Sequence, residues 1–335
     1  MDLPLEHLKT FAAVIDEGSL EAAARLLHVS PSAVSQRLRN MEERTGSVLL
    51  ERTRPVAVTA SGATVLRAAR QVARVVEDAS AELDPGSVRG SLVRLVINAD
   101  SLATWFIPAL ARAAAETGAR FEVLRADETI STEKLRSGEA MAALTATSTA
   151  VPGCVSTRIG VDRYHAVASP EFFAEHFAGG VTPESLAAAP LINFDRHDMF
   201  QQRFLREFSA RAGEGAGAGV GQGAGAGAGQ GTGQGAGTGQ GAEGEGTAQL
   251  AANPPRHYVP SSAEFAAAIG LGMGWGMLPR LQCAGPLAAG ELVDLAPHGP
   301  LELPLYWQRW NLRSPVLDTL SEVVAADARK ALDFG

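Results

Sequence analysis

The stretch Ser19–Asn40, SLEAAARLLHVSPSAVSQRLRN, determines how the N-terminal part of the chain folds. Each half carries apolar residues at the spacing of one helix face. They are Leu20, Ala23, Ala24 and Leu27 in the first half, and Val34 and Leu38 in the second, whose pattern continues to Met41 just beyond the stretch. Ser19 and Ser30 stand where the two helices begin and can cap their free N–H groups. Pro31 suits the first helical position, where no N–H is needed. The stretch therefore predicts two short helices joined by a turn at His28-Val29.

The flanking residues extend this pair of helices into a domain. A further set of apolar residues at helical spacing precedes Gly18, which can end a helix: Leu5, Leu8, Phe11 and Ala12. After Gly46, two short apolar runs surround Arg52-Thr53-Arg54-Pro55 and predict a hairpin with a basic tip. Residues 1–59 are thus predicted to form a winged helix-turn-helix, in which the second helix of the pair enters the DNA major groove.

The outward face of that second helix and the hairpin tip supply the expected DNA contacts, which are Ser30, Ser32, Ser35, Gln36, Arg37, Arg39, Arg52 and Arg54. Gln36 can offer its amide to the edge of an adenine, whereas the serines can reach bases or phosphates. Arg37 and Arg39 suit phosphates better than guanine edges, but the sequence does not separate these roles. An ordinary three-helix bundle is the alternative. It explains the apolar spacing but not the caps, Pro31 and the basic tip together.

Charge does not by itself mark the chain as a nucleic-acid binder. The net charge is −8, and the first sixty residues carry seven basic against eight acidic side chains. DNA affinity must then depend on where the arginines lie rather than on how many there are.

Composition and the N-terminus bound the other expectations. No apolar run of about 18 or more residues occurs, so no membrane span is expected. The N-terminus has no basic segment followed by an apolar core, which favours a cytoplasmic protein without a signal peptide. Cys154 and Cys283 match no metal or redox spacing, so we expect neither a metal nor a cofactor.

A long helix is predicted to follow Thr59 and to run to about Leu83. Its apolar residues repeat at alternating spacings of four and three, as a heptad does: Val65, Ala69, Val72, Val76, Ala79 and Leu83. Residues 60–88 are therefore predicted to be a linker helix that pairs with the same helix of a second copy. The alternative is a single amphipathic helix lying on its own domain.

From residue 92 onward, predicted strands alternate with helices, which is typical of one α/β domain or a pair of them. One segment departs from this pattern. Residues 213–247 are almost wholly Gly, Ala, Gln and Thr, a composition that cannot bury a core. We expect a disordered, Gly-rich insertion there, without chemistry of its own.

The N-terminal motif resembles the signature of the LysR-type regulators. The resemblance rests on GSLEAAA at 18–24, VSPSAVSQRL at 29–38, LLERT at 49–53, Thr59 and Gly62. It implies a winged helix-turn-helix joined by a dimerising linker helix to an α/β effector domain. That domain would have two Rossmann-like subdomains, similar to periplasmic binding proteins, with an effector cleft between them. The implied bounds are 91–162 plus 268–335 for the first subdomain and 163–267 for the second, which carries the insertion.

Further motifs resemble the ArgP/LysG branch of this family, which controls basic amino-acid export. They are NADSLATW at 98–105, DET at 127–129, SSAEF at 261–265, GELVDL at 290–295 and LYW at 305–307. The resemblance implies lysine, arginine or histidine as effector and the promoter of an exporter gene as target. It also implies the other partners: double-stranded promoter DNA, a second copy in a homodimer, a homotetramer, and RNA polymerase.

The candidate effector residues follow predicted strands. Ser101 and Ser262 lie where a strand gives way to a helix, whose free N–H groups suit an α-carboxylate. Acidic side chains nearby could pair with the ligand's cationic groups. The remaining candidates are Asp100, Thr104, Trp105, Asp127, Glu128, Ser261 and Glu264. Asp127 and Glu128 could instead merely cap a helix, and Trp105 could be a core residue rather than a ligand wall.

Two other classes of function are weighed against a regulator. An enzyme or transport receptor is disfavoured because no catalytic constellation, phosphate loop or export signal is evident. An architectural or replication-origin DNA-binding protein without amino-acid control remains the alternative, since a helix-turn-helix alone would allow it.

Overall fold

The computed structural model describes residues 3–51, 53–83, 92–125, 128–217 and 254–333. The chain divides into two compact units. Unit 1 comprises Met1–Arg163 with Glu302–Gly335, and unit 2 comprises Tyr164–Leu301. Within the described ranges, no helix combines the length and the apolar character needed to cross a membrane.

Unit 1 begins with the predicted helix-turn-helix and hairpin. Its elements are α1 (Leu5–Glu17), α2 (Leu20–Leu26), α3 (Pro31–Thr45), β1 (Leu50–Glu51) and β2 (Ala57–Val58), the two strands being antiparallel. The hydroxyls of Ser19 and Ser30 accept hydrogen bonds from Ala22 N at 3.1 Å and Ala33 N at 3.2 Å. Both predicted caps are therefore confirmed. Gly18 ends α1 in the left-handed region, at a φ of 68°, as a C-terminal glycine does.

The long helix α4 (Ala60–Leu83) follows, and its apolar residues divide between two environments. Val65, Leu66 and Ala69 are buried in the core of the N-terminal domain, together with Phe11 and Met41. Val72, Val76 and Leu83 remain exposed, at 38%, 40% and 88%. The predicted heptad is thus not one continuous free seam, because the domain's own core uses its first turns. Residues 84–88 of the predicted linker lie outside the described residues.

The rest of the chain alternates strands and helices. The strands are β3 (Leu92–Ile97), β4 (Arg120–Arg125), β5 (Ala142–Thr145), β6 (Cys154–Ala168), β7 (Leu191–Asn193), β8 (Arg256–Tyr258), β9 (Gly276–Pro279), β10 (Val293–Asp294) and β11 (Leu301–Trp310). The helices are α5 (Ala99–Ser101), α6 (Ile107–Thr117), α7 (Glu128–Arg136), α8 (Pro170–His176), α9 (Pro183–Ala188), α10 (Phe200–Gly217), α11 (Ser262–Gly270), α12 (Arg280–Ala289) and α13 (Pro315–Ala331), with a π-helical turn, Leu102–Phe106, between α5 and α6.

The sheet of unit 1 is covered on both faces. β3 pairs in parallel with β4 and with β5, and β11 pairs with β5 antiparallel. Alternate residues of β3 face different cores. Leu95 and Ile97 belong to the cluster that also contains residues of α6 and α13, whereas Val96 packs with Leu135 of α7. Burial on both faces explains why these strands are almost continuously apolar.

Unit 2 is built on the last residues of β6 and on β7. The segment Tyr164–Ala168 pairs antiparallel with β9 and with β10, and β7 pairs in parallel with β8. Ile192, Phe265 and Leu278 are buried in its main apolar cluster.

The subdomain boundary differs from the expected one. Residues 268–301, assigned from the resemblance to the first subdomain, lie in unit 2. The reason is the pairing of β9 and β10 with β6. Strands more than a hundred residues apart in sequence form this pairing, so no local pattern announces it.

The predicted Gly-rich insertion begins inside a helix. α10 continues to Gly217, so residues 213–217 are helical rather than disordered, which corrects the start of the insertion. The remainder of that prediction, residues 218–247, lies outside the described residues.

Candidate functional site

The exposed face of α3 carries most of the predicted DNA contacts. Ser32, Gln36 and Arg39 are exposed, and Ser35 is half-buried. Gln36 Nε2 donates to Asn40 Oδ1 at 3.0 Å on the surface, a bond that an adenine edge could replace. Ser30 is engaged in capping α3, and its hydroxyl also lies 2.9 Å from that of Ser32. The face therefore presents amide, hydroxyl and guanidinium groups, which suits contact with bases and phosphates.

Arg37 has a different position from Arg39. Its Nη1 donates to Thr10 Oγ1 at 2.9 Å, and it lies 3.9 Å from a carboxylate oxygen of Glu6. Thr10 is completely buried in α1. The side chain of Arg37 thus joins α3 to α1, a contact between helices that the spacing within α3 did not indicate.

His7 of α1 lies close to the same group of charges. Burial is the largest cause that lowers the pKa of His7 below its ordinary value, and the positive charges of Arg44 and Arg37 lower it further. His7 Nδ1 has no hydrogen-bond partner among the described residues. The neutral form of this histidine is therefore favoured where α1 meets α3.

The hairpin tip is described only in part. Arg54 is exposed, and Thr53 Oγ1 donates to the carbonyl of Pro55 at 2.7 Å within the turn. Arg52 lies outside the described residues.

In unit 1, Ser101 lies just beyond the carboxyl end of β3. It is completely buried, and its hydroxyl has no partner among the described residues. Asn98 Oδ1, at the same strand end, is also buried without a partner. A buried polar atom left unpaired costs free energy, which a ligand could recover. The π-helical turn that follows is a distortion often found at functional sites.

Thr104 and Trp105, predicted beside Ser101, both contact other residues of unit 1. Thr104 Oγ1 donates to the carbonyl of Asp100 at 2.7 Å. Trp105 is buried in the main core of unit 1, where its ring contacts that of Phe106 edge-on at 5.4 Å between centroids. The burial of Trp105 fits the core alternative left open from the sequence, but its indole Nε1 is buried without a partner among the described residues, so its place beside a ligand stays a prediction.

Gln308 of β11 was missed in the sequence. It is completely buried, and its side chain makes four hydrogen bonds, one to the last residue of β5 and three to the segment that follows. The amide that follows Leu305-Tyr306-Trp307 in the strand sequence LYWQRW was the signal that could have found it. Its partners lie around 160 residues earlier in the chain, so the sequence alone does not show that they are in contact with Gln308.

In unit 2, Ser262 begins α11 and is buried. Its hydroxyl accepts a hydrogen bond from Gln282 Nε2 at 2.8 Å, and Gln282 Oε1 has no partner among the described residues. Ser261 donates to the carboxylate of Glu264 within the same turn. Ser261 and Glu264 are thus paired with each other, and Ser262 is tied to α12.

A polar network at the carboxyl end of β7 was also missed. Asn193 Nδ2 donates to the carbonyl of Asp198 at 3.0 Å, and Asn193 Oδ1 is buried without a partner in the described part of the chain. The carboxylate of Asp198 accepts from Phe194 N at 2.7 Å and Phe200 N at 2.9 Å. Burial raises the pKa of Asp198, and those backbone hydrogen bonds oppose the rise.

The acidic pair Asp127 and Glu128 can be placed only in part. Asp127 lies outside the described residues, and of Glu128 only the backbone is described, as the first residue of α7. Within the described ranges, no three His, Cys, Asp or Glu side chains cluster as metal ligands would.

Comparison with known families matches both parts of the chain. The model of the bacterial regulatory helix-turn-helix protein, lysR family, matches residues 5–63. The model of the LysR substrate binding domain matches residues 87–219.

Individual relatives match over nearly the whole length. The regulator LysG of Mycobacterium tuberculosis is 34% identical over 326 residues, which cover 96% of this chain and 92% of that protein. The lysine export transcriptional regulatory protein LysG of Corynebacterium efficiens is 35% identical over 328 residues, covering 97% and 98%.

Two solved structures share the fold. ArgP from Mycobacterium tuberculosis superposes with a TM-score of 0.81 at 33% identity, covering 98% of each chain. LysG from Corynebacterium glutamicum, with the effector Arg bound, has a TM-score of 0.75 at 31% identity, covering 99% of this chain and 100% of that one.

Proposed function

The chain belongs to the LysR family of bacterial transcriptional regulators, and from this membership we propose that it senses a basic amino acid and controls the gene of an exporter. The observation that carries the proposal is the completely buried, unpartnered hydroxyl of Ser101 at the carboxyl end of β3. A relative of the same fold is described with arginine bound as its effector. Architectural DNA binding without a ligand is not favoured, since the relatives are named as regulators.

The carboxyl end of β3 suits the α-carboxylate of an amino acid. Ligands of α/β proteins bind at the carboxyl ends of parallel strands, and β3 and β5 are parallel neighbours. Ser101 can donate its hydroxyl proton to a carboxylate, and the helical N–H groups there favour negative charge. Asp100, with Asp127 and Glu128, would then pair with the ligand's cationic groups.

Unit 2 offers a second set of polar groups. Ser262 starts α11, and the side-chain oxygen Oδ1 of Asn193 is buried without a partner in the described ranges. An acceptor of this kind suits an ammonium or guanidinium group, which has only donors. Ser262 and Asn193 are therefore proposed as effector contacts of unit 2, with Glu264 as a nearby negative charge.

For the DNA side, we propose that Gln36, Ser32 and Ser35 contact bases while Arg39, Arg52 and Arg54 contact phosphates. Two copies of such a domain would face two half-sites about one helical turn apart. The exposed apolar residues of α4 support pairing in a homodimer, and assembly into a tetramer, contact with RNA polymerase and a cytoplasmic location belong to the same proposal. Residues 1–59 would be the DNA-binding domain and 60–88 the linker.

Calorimetric titration with lysine, arginine and histidine tests the sensing function. At least one should bind to the full-length protein, and Ser101→Ala should weaken it about tenfold, the value of one hydrogen bond to a charged group. Thr104→Val is the matched control, because that hydroxyl is already engaged by the carbonyl of Asp100. Heat from none of the three amino acids would overturn the proposal.

A gel shift on the promoter beside the nearest exporter gene tests the DNA side. The protein should retard that fragment, and the effector should change the mobility or affinity of the complex. Absence of a retarded band with and without each amino acid would exclude control of that promoter.

A further inference from the structure

We infer that Gln308 is a positioning residue that sets effector affinity, by holding the backbone of residues 146–150 in a conformation that presents peptide N–H groups to the ligand's carboxylate. The inference rests on the proposed function and adds to it a part of the chain that contains no predicted site residue. Residues 146–150, Ala-Thr-Ser-Thr-Ala, are called the β5 loop below.

Gln308 uses its whole amide on this loop and its flanks. Nε2 donates to the carbonyl of Thr147 at 3.0 Å and that of Thr149 at 3.1 Å. It also lies 3.3 Å from Thr145 Oγ1, and Oε1 accepts from Val151 N at 3.0 Å. A completely buried amide whose bonds all go to this loop and the residues on either side of it fixes the loop strongly, because losing either end leaves buried polar groups unpaired.

The geometry of the peptide bond determines what the loop presents. In a trans peptide, the C=O and the N–H of the next residue point in opposite directions. Because the carbonyls of Thr147 and Thr149 point at Gln308, the N–H groups of Ser148 and Ala150 point away from it. Neither N–H has a partner among the described residues, and Ser148 and Ala150 are exposed. Each of these exposed N–H groups can therefore donate to an anion.

The loop lies at the same end of the sheet as Ser101. Val96 of β3 is paired with Ala143 of β5, so Asn98 and Thr145, each two residues further, lie side by side. Ser101 and the β5 loop both follow directly from these positions. The unpartnered hydroxyl of Ser101 and the free N–H groups of the loop are thus adjacent in the sheet's order.

The charge of the loop points to the class of ligand. Residues 142–153 contain no charged side chain, so the loop would bind a carboxylate through neutral N–H donors. A lysine or arginine here would bind a carboxylate more strongly but would repel a ligand with a cationic side chain. Neutral donors avoid that repulsion, which fits a basic amino acid.

The test compares arginine with argininamide, which lacks the carboxylate, on full-length protein by competition calorimetry. Gln308→Met keeps the length of the side chain but removes the amide. It should lower the preference for arginine over argininamide about tenfold, since carboxylate contacts are lost while side-chain contacts remain. Gln308→Glu keeps the acceptor for Val151 N but removes the donors to the two carbonyls, so it should lower the same preference. It replaces the methionine variant in the test if that variant folds poorly. Hydrogen exchange of the β5 loop without ligand should be faster in both variants.

Val324→Ala is the matched control for lost stability. Val324 is completely buried in α13, in a core cluster of the same unit that contains no residue of the loop. It should leave the preference for arginine within about twofold of the wild type, because a cavity in the core weakens folding rather than a distant contact. Equal weakening of both ligands in Gln308→Met, or no weakening of either, would overturn the inference and leave the sensing function standing. Failure of the wild type to bind arginine, lysine or histidine would instead refute the sensing function itself.

Discussion

Gly138 lies against Arg67, so closely that a β-carbon at position 138 would stand 2.7 Å from the Cα atom of Arg67. The Nη1 of Arg67 donates to the carbonyl of Arg136 at 3.2 Å. Helix α4 therefore touches the turn after α7 backbone to backbone, within unit 1. The contact joins the helix that leads from the DNA-binding domain to the subdomain that carries Ser101.

Gly138→Ala should break this contact. The new β-carbon meets backbone rather than a flexible side chain, and the position has a φ of 74°, so strain and clash add. We expect the free energy of unfolding, measured in urea, to be about 2–4 kcal/mol lower for Gly138→Ala than for the wild type. Left-handed strain alone would account for about 1 kcal/mol of this loss.

Gly46→Ala is the control for that variant. Its φ is 63°, and a β-carbon there meets nothing within 4 Å, so only the strain applies. Equal losses in the two variants would show that the approach of α4 to Gly138 contributes nothing to stability.

Arg37 and Arg39 should separate stability from DNA binding. Arg37→Gln removes the bond to Thr10, so it should lower the free energy of unfolding by about 1 kcal/mol. Arg39→Gln should leave stability unchanged, weaken DNA binding on all sequences and reduce the salt slope by about one. Chemical denaturation and a binding titration at several salt concentrations provide both readouts. The prediction fails if Arg37→Gln changes the salt slope more than Arg39→Gln does.

His7 should make the N-terminal domain sensitive to mild acid. Its pKa is lowered in the folded state by burial and by Arg44 and Arg37, so the folded protein resists protonation more than the unfolded chain does. Stability from this group is complete above the ordinary pKa of 6.5 and is lost as pH falls below it. The melting temperature should therefore fall less steeply between pH 7 and pH 5 for His7→Gln than for the wild type.

His28→Gln is the comparison within the same domain. His28 is exposed in the turn between α2 and α3, so His28→Gln removes a histidine of the same domain away from the place where α1 meets α3. Identical slopes for wild type and His7→Gln would contradict the role assigned to His7.

The exposed half of α4 should hold a dimer together. Val76 lies on the heptad spacing and is 40% exposed, so Val76→Glu should raise the dimer dissociation constant at least about tenfold by burying a charge at the seam. Val75→Glu adds the same charge one residue outside that spacing and should have a smaller effect. Sedimentation over a range of concentrations measures both, and an unchanged dimer in Val76→Glu would place the interface elsewhere.

Local features were predictable because local interactions create them. The caps at Ser19 and Ser30 and the helix end at Gly18 depend on residues within four positions, and the structure has them as expected. The position of Ser101 just after a strand was predictable for a similar reason, since a strand followed at once by a helix leaves N–H groups free. The spacing within α3 also placed Arg37 on a polar face, but it could not show that Arg37 contacts Thr10 of another helix.

The missed features all depend on contacts between distant parts of the chain. Gln308 is bonded to residues 157 to 163 positions away, and its role is invisible until β11 lies beside β5. Residues 268–301 could not be assigned to unit 2 without knowing that β9 and β10 pair with β6. Trp105 has the same apolar ring in the core as it would have beside a ligand, so the sequence could not show that it packs against Phe106 in the main core.

The sequence by itself thus determined the winged helix-turn-helix, the α/β character of the rest and the family, because helix spacing, caps and motifs are written in neighbouring residues. The tertiary structure alone decided which polar groups are used up inside the protein and which are left over. The side chains of Ser30, Thr104 and Arg37 form hydrogen bonds with other residues of the chain. The hydroxyl of Ser101, by contrast, is buried and has no partner among the described residues. Satisfaction of a hydrogen bond is a property of two groups in space, and it becomes fixed only when distant strands and helices meet.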